Sequence, residues 1–119
     1  MTFPNALSVD GSIDDGFAVL TVAGTIDLAT ADILETELKA LLEDQPRALV
    51  MDLEAVDFLA SVGIQILVDT HNKFSQGCFV IVATDRVVTR PLALTHLDDV
   101  LRIVPSLTDA RLVVDDVFE

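Results

Sequence analysis

Residues 48–67 read ALVMDLEAVDFLASVGIQIL, and the change of pattern inside this stretch decides the fold. Ala48 to Leu53 (ALVMDL) is a mostly apolar run of strand length, which suits a central strand covered on both faces. From Val62 to Ser75 the pattern turns helical, because Ile64, Leu67, His71 and Phe74 fall on one stripe while Gln65, Asp69 and Lys73 fall off it. Gly77 stops that helix, and Cys78 to Ala83 (CFVIVA) is a second buried strand. Strand, helix, strand predicts parallel pairing through a right-handed crossover.

The same reading extends outward in both directions. Upstream, Thr30 stands as N-cap before Leu34, Leu38, Leu41 and Leu42, spaced for one helix face, and Pro46 follows that helix. Ala18 to Gly24 (AVLTVAG) reads as a strand, with a hairpin turn at Asp14, Asp15 and Gly16 and an edge strand over Leu7 to Ile13. Downstream, Asp85 to Leu94 holds only a short helix, since Pro91 removes a donor and pushes Arg90 out of helical dihedrals unless Pro91 lies in the first turn. Val100 to Val104 is a short strand. Ser106 and Asp109 then form an approximate capping box before Ala110, Val113, Val114 and Val117. Two strands followed by alternating helix and strand give an α/β layer with helices against a mixed, mostly parallel sheet of about five strands and about four helices.

Length and charge narrow the function. The chain has 119 residues, enough for one domain over 1–119 and no second, and 51% apolar against 23% charged residues is a globular balance. Seven basic against 20 acidic residues leave a net charge of −13, which opposes a phosphate backbone and an anionic membrane surface alike. Neither direct nucleic-acid binding nor membrane insertion is expected. The opening MTFPNALSVDG lacks a basic region followed by an apolar one, so a cytoplasmic location is expected.

Catalytic patterns are absent: there is no Gly-x-Ser-x-Gly elbow, no phosphate-binding Gly-rich loop and no His-Glu-x-x-His. His71 and His96 read as structural histidines, and the single Cys78, inside an apolar run, reads as a buried thiol. A hydrolase using Ser61 lacks any positioned base, so no enzyme, cofactor or metal is expected. What stands out is Asp52 to Gly63, where a strand ends and a loop delivers Ser61 to a helix start. An N-cap role would explain Ser61, with about 0.5 to 2 kcal/mol at stake, but not Gly63 at the second helical position, where glycine is unfavourable. Gly63 either lets the helix pack close to the sheet or lets a partner approach. A phosphoryl group on Ser61 would sit at unpaired backbone donors and the positive helix end, leaving the domain folded. It would add about −1.5 to −2 charges to a surface that already carries Asp27 and Asp57, and so expel a docked partner.

The stretch DLEAVDFLASVGIQIL resembles the signature of STAS domains, specifically the bacterial anti-sigma factor antagonists, through Asp52, Leu53, Val56, Phe58, Ser61, Gly63, Ile64 and Leu67. Gly24, Thr25, Ile26 and Asp27 resemble the Gly-x-Leu-Asp turn of that family, and the resemblance spans about Phe17 to Val117. It implies a single STAS domain and a non-enzymatic switch. In that switch the unphosphorylated form binds an anti-sigma factor that is also a serine kinase, freeing the sigma factor, and phosphorylation of Ser61 breaks the complex. A serine phosphatase acting on phospho-Ser61 would reset it. By the same resemblance Ser61 is the phosphoacceptor, and Asp27, Thr30, Ala60, Val62 and Gly63 are contacts of the kinase. Read as residues alone, Asp27 is a turn former and Thr30 an N-cap. Many relatives carry aspartate where this chain has Ala60. That departure keeps a second reading open, a constitutive STAS interaction subunit of a stress-sensing or lipid-transport assembly in which Ser61 is a helix cap only.

Overall fold

The computed structural model describes residues 7–14, 16–74 and 78–117. The elements run β1 (Ser8–Asp14), β2 (Phe17–Ile26), α1 (Ala31–Leu42), β3 (Ala48–Leu59), α2 (Ser61–Lys73), β4 (Cys78–Val82), α3 (Arg86–Leu94), a single 3-10 turn (Leu97–Asp99), β5 (Arg102–Val104) and α4 (Leu107–Val117). The strands lie side by side in chain order, β1 antiparallel to β2 and the other neighbours parallel. The α/β class, the mixed sheet and the edge position of the first strand follow the sequence reading.

Helices cover both faces of the sheet. On one side Leu20, Val22, Met51, Leu53 and Ile81 are sealed beneath Leu34 and Leu38 of α1, Ile66 and Leu67 of α2, and Val88 and Leu92 of α3. On the other, α4 lays Ala110 and Val114 over Ala48, Val50, Cys78, Val80 and Val82. Two-sided burial is why 48–51 and 78–82 read as unbroken apolar runs, with every residue of β4 buried.

Several boundaries differ from the sequence reading. Strand β3 does not end at Leu53 but continues to Leu59, paired with β2 alone. Its register slips twice against β2, between Thr21 and Ala23 and between Gly24 and Thr25, each slip adding a residue to β3. Such bulges turn the inward set from every second to every third residue, so Leu53, Val56 and Leu59 point into the core while Glu54, Ala55, Asp57 and Phe58 are exposed. On α2 the buried stripe is Gly63, Ile66, Leu67 and Thr70, and not Ile64, Leu67, His71 and Phe74, of which only Leu67 is buried. Thr70 is accommodated because its hydroxyl donates to the Ile66 carbonyl at 2.7 Å. Ser75, Gly77 and Asp15 lie outside the described residues, while Gly16 of the expected turn has the positive φ, 80°, that favours glycine.

Pro91 stands in the second turn of α3 with Arg90 helical before it, so the helix tolerates the missing donor rather than placing proline first. Asp85 caps the start by accepting from Val87 N at 2.9 Å, and Thr95 closes the end by donating to the Pro91 carbonyl at 2.8 Å. His96 is exposed in a left-handed turn at φ 61°, and His71 is half-buried, so neither is a core histidine. Ser106 accepts from Asp109 N at 3.1 Å and donates to the Asp109 carboxylate at 2.9 Å, a variant of the expected capping box ahead of α4.

Cys78 is buried, and burial pushes its thiol above the ordinary range although the Arg102 guanidinium beside it, 3.7 Å from Sγ, pulls the other way. Its thiol is expected to react with iodoacetamide at mildly alkaline pH far more slowly in the native protein than in urea. Equal rates in the two conditions would show that the site opens freely.

Candidate functional site

The carboxyl ends of β2 and β3 build one surface. Thr25 pairs with Phe58 and Ile26 with Leu59, and Ala60 N donates to the Ile26 carbonyl at 2.9 Å. The turn after β2 and the start of α2 therefore lie side by side, which brings Asp27, Thr30, Ala60, Ser61, Val62 and Gly63 together. Ser61 is exposed, Asp27, Ala60 and Val62 are half-buried, and Thr30 and Gly63 are buried.

The first turn is locked from within. Asp27 Oδ1 accepts from Ala29 N at 2.9 Å and from Thr30 N at 3.1 Å, while the Thr30 hydroxyl donates to the Thr25 carbonyl at 2.7 Å and accepts from Asp27 N at 3.0 Å. Thr30 occupies the N-cap position of α1 without capping it, since its hydroxyl is spent on the turn. Nearby, the buried Thr25 hydroxyl donates at 2.8 Å to Oδ1 of Asp57, the residue added by the second bulge. This bond pins the bulge and with it the path of the chain into Ala60.

Ser61 is not the helix cap that the sequence suggested. Because β3 runs to Leu59, only Ala60 separates strand from helix; it takes the N-cap position with extended dihedrals (φ −83°, ψ 170°), and no side chain caps α2. Ser61 is instead the first helical residue, and its hydroxyl has no hydrogen-bond partner among the described residues. Gly63 is accordingly the third helical residue. A Cβ built there would stand 2.5 Å from Leu59 Cδ1 and 2.7 Å from Ile26 Cγ2, so this glycine serves close helix-to-sheet packing. An uncapped helix start carries its own expectation: Ala60→Asp should raise stability by about 1 kcal/mol, read as a higher urea midpoint with unchanged slope. A lower midpoint would mean that the carboxylate is repelled by Asp57 or Asp27 more than the helix end attracts it.

Two residues of this surface escaped the sequence reading as exposed groups. Leu28 is 85% exposed beside Asp27, and Phe58 is 53% exposed beside the strand end. The every-third spacing of Leu53, Val56 and Leu59 was the available signal that Phe58 points outward. Among the described residues no group of three or more His, Cys, Asp or Glu side chains is placed to hold a metal ion, and no helix is long and apolar enough to cross a membrane.

Residues 8–110 match the STAS domain family. The chain belongs to that family. This STAS domain is 42% identical over 111 residues to the anti-sigma-F factor antagonist RsfB of Mycobacterium tuberculosis, the match spanning 92% of this chain and 91% of the relative. It superposes with a TM-score of 0.90 and 39% identity on the crystal structure of an anti-sigma factor antagonist from Mycobacterium paratuberculosis, over 97% of this chain and 99% of that one. The anti-sigma factor antagonist SpoIIAA in its unphosphorylated form has a TM-score of 0.75 at 11% identity, over 93% and 97% of the two chains, a likeness of fold alone.

Proposed function

We propose that this STAS domain is an anti-sigma factor antagonist switched at Ser61. The unphosphorylated protein docks on an anti-sigma factor that is also a serine kinase, which frees the sigma factor; phosphorylation of Ser61 breaks that complex, and a serine phosphatase restores it. The chemistry of phosphoryl transfer belongs to the partner. The observation that carries this reading is the Ser61 hydroxyl, exposed and without a hydrogen-bond partner among the described residues, on a surface that also presents Leu28 and Phe58. Antagonist relatives at 42% and 39% identity support it.

Because α2 has no side-chain cap, a phosphoryl group on Ser61 would meet first-turn N–H groups not already engaged; the N–H groups of Gly63 and Ile64 bond to the Ala60 carbonyl. Modification then leaves the scaffold intact and changes the outward field. The constitutive-subunit reading took Ser61 as a helix cap, a position that Ala60 occupies instead. The test is intact mass after incubation with a cognate anti-sigma serine kinase and Mg-ATP. One added phosphoryl group is expected, and none on Ser61→Ala. Failure of the wild type to gain mass with a kinase that it demonstrably binds would overturn the switch.

A further inference from the structure

Helix α3, whose outward face carries none of the residues assigned to the proposed switch, breaks several local rules at once. Its sequence, RVVTRPLAL, contains no acidic residue in a chain with 20 of them. Arg86 stands at the first helical position, where a cation opposes the helix dipole, and Arg90 follows at i+4, where like charges repel. Neither guanidinium has an ion-pair or hydrogen-bond partner among the described residues. Pro91 stands inside the helix, His96 after it is held at φ 61°, and Leu94 (70% exposed) and Val100 (55% exposed) present apolar side chains to solvent. A sequence selected only for folding would replace most of these, and such clusters of local conflict mark functional surfaces.

The conflicts converge on one place. Val88 and Leu92 take the inward face of α3, so the outward face carries Arg86, Arg90 and Leu94 in a single i, i+4, i+8 line. Beside that line is a groove of about 480 Å³ lined by Arg86, Thr89, Arg90, Ala93, Asp98 and Ile103. Its wall from α3 is cationic, Ala93 and Ile103 are apolar, and Asp98 is the one carboxylate in the lining.

We infer that this groove between α3 and β5 docks an acidic, leucine-rich segment of a partner protein, with Arg86 and Arg90 pairing to two carboxylates about one helical turn apart, Ala93 and Ile103 receiving apolar residues inside the groove and the exposed Leu94 covering a further one beside it. Long polyanions are disfavoured by the net charge of −13, which acts on every phosphate of a nucleic acid or lipid surface. A short acidic segment meets mainly the local field, since charges beyond about 8 Å are largely screened at physiological salt. Bidentate pairing to carboxylate is also what the arginine fork does best.

The test is fluorescence anisotropy of a fluorescein-labelled synthetic peptide of alternating Glu and Leu pairs, with the Lys-for-Glu peptide as control, on the full chain. The acidic peptide should bind and the basic one should not, binding should weaken as salt is raised, and R86E/R90E should weaken it by about tenfold or more. Leu94→Ser should weaken it as well. Arg86→Glu removes a cation from a helix start, so Tm of R86E/R90E should hold or rise, which separates lost docking from lost folding. Ser61→Glu should leave peptide affinity unchanged, which separates this groove from the proposed switch. Unaltered affinity in R86E/R90E, equal binding of the basic peptide, or binding to phosphatidylglycerol vesicles in place of the acidic peptide would each overturn the assignment.

Discussion

Ser61→Glu is expected to bind the proposed partner, an anti-sigma serine kinase, at least about a hundredfold more weakly than Ser61→Ala, while the two variants unfold at closely similar urea concentrations. The first half follows from where the hydroxyl sits. Ser61 is exposed at the first position of α2, with Asp27 on the neighbouring turn and Asp57 on the strand that leads into it. A carboxylate placed there adds one charge to that pair at the spot where a docked protein excludes water, and like charges brought together in an interface cost several kcal/mol. A hundredfold change needs about 2.7 kcal/mol, which lies inside that range. The second half follows from the helix end, since an anion in the first turn of α2 is favoured by the dipole and by free N–H groups. Removing the hydroxyl breaks no hydrogen bond among the described residues. Titration calorimetry on both variants measures the ratio directly, and equal affinities would remove the electrostatic mechanism.

That separation of binding from folding rests on features which the sequence reveals unevenly. The strand, helix, strand centre was legible because β3 and β4 are buried on both faces, so that hydrophobicity runs unbroken where a half-exposed strand would alternate. The second half of β3 was hidden, because two bulges convert the period of two into a period of three, and no strand template matches Leu53, Val56 and Leu59. The inward stripe of α2 was misplaced by its two least apolar members. Gly63 faces the sheet because it is small, and Thr70 because its hydroxyl is paired to the carbonyl one turn back. A pattern built on large apolar side chains finds neither.

The candidate site shows the same division. Ser61 and Gly63 stood out by residue type, yet their roles shifted by one position once β3 was seen to reach Leu59. Alanine gives no capping signal, so a sequence reading passes over Ala60 and assigns the cap to the nearest hydroxyl. Leu28 and Phe58 look like ordinary core residues in the sequence and become surface groups only through the turn and the bulge that carry them. The Thr25 to Asp57 bond, which joins residues 32 positions apart, has no local signature at all.

Gly63→Ala puts two opposed effects in competition, and their sizes decide the sign. Exchanging glycine for alanine in a helix interior gains about 1 kcal/mol, and less in a first turn that frays. Against this, the new Cβ would lie 2.5 Å from Leu59 Cδ1 and 2.7 Å from Ile26 Cγ2. The leucine methyl ends a flexible side chain and can yield. Cγ2 of Ile26 cannot, because it is attached directly to Cβ of a β-branched residue whose backbone is fixed in β2 and whose side chain is buried. Relief must come from lifting the first turn of α2 off the sheet, and overpacking of this kind costs about 1 to 3 kcal/mol. A net loss of about 1 to 2 kcal/mol is therefore expected, seen as a lower urea midpoint, and Gly63→Val should lose more. Ile26→Val retains a methyl at the same place and should not rescue the variant. Ile26→Ala removes it, so the double variant should lose less than the sum of its single losses. Lifting the first turn also displaces Ser61, so binding to the kinase should fall together with stability. A Gly63→Ala protein more stable than wild type would mean that the helix start has room to spare, and the close seating of α2 would then no longer explain why glycine stands two residues after Ser61.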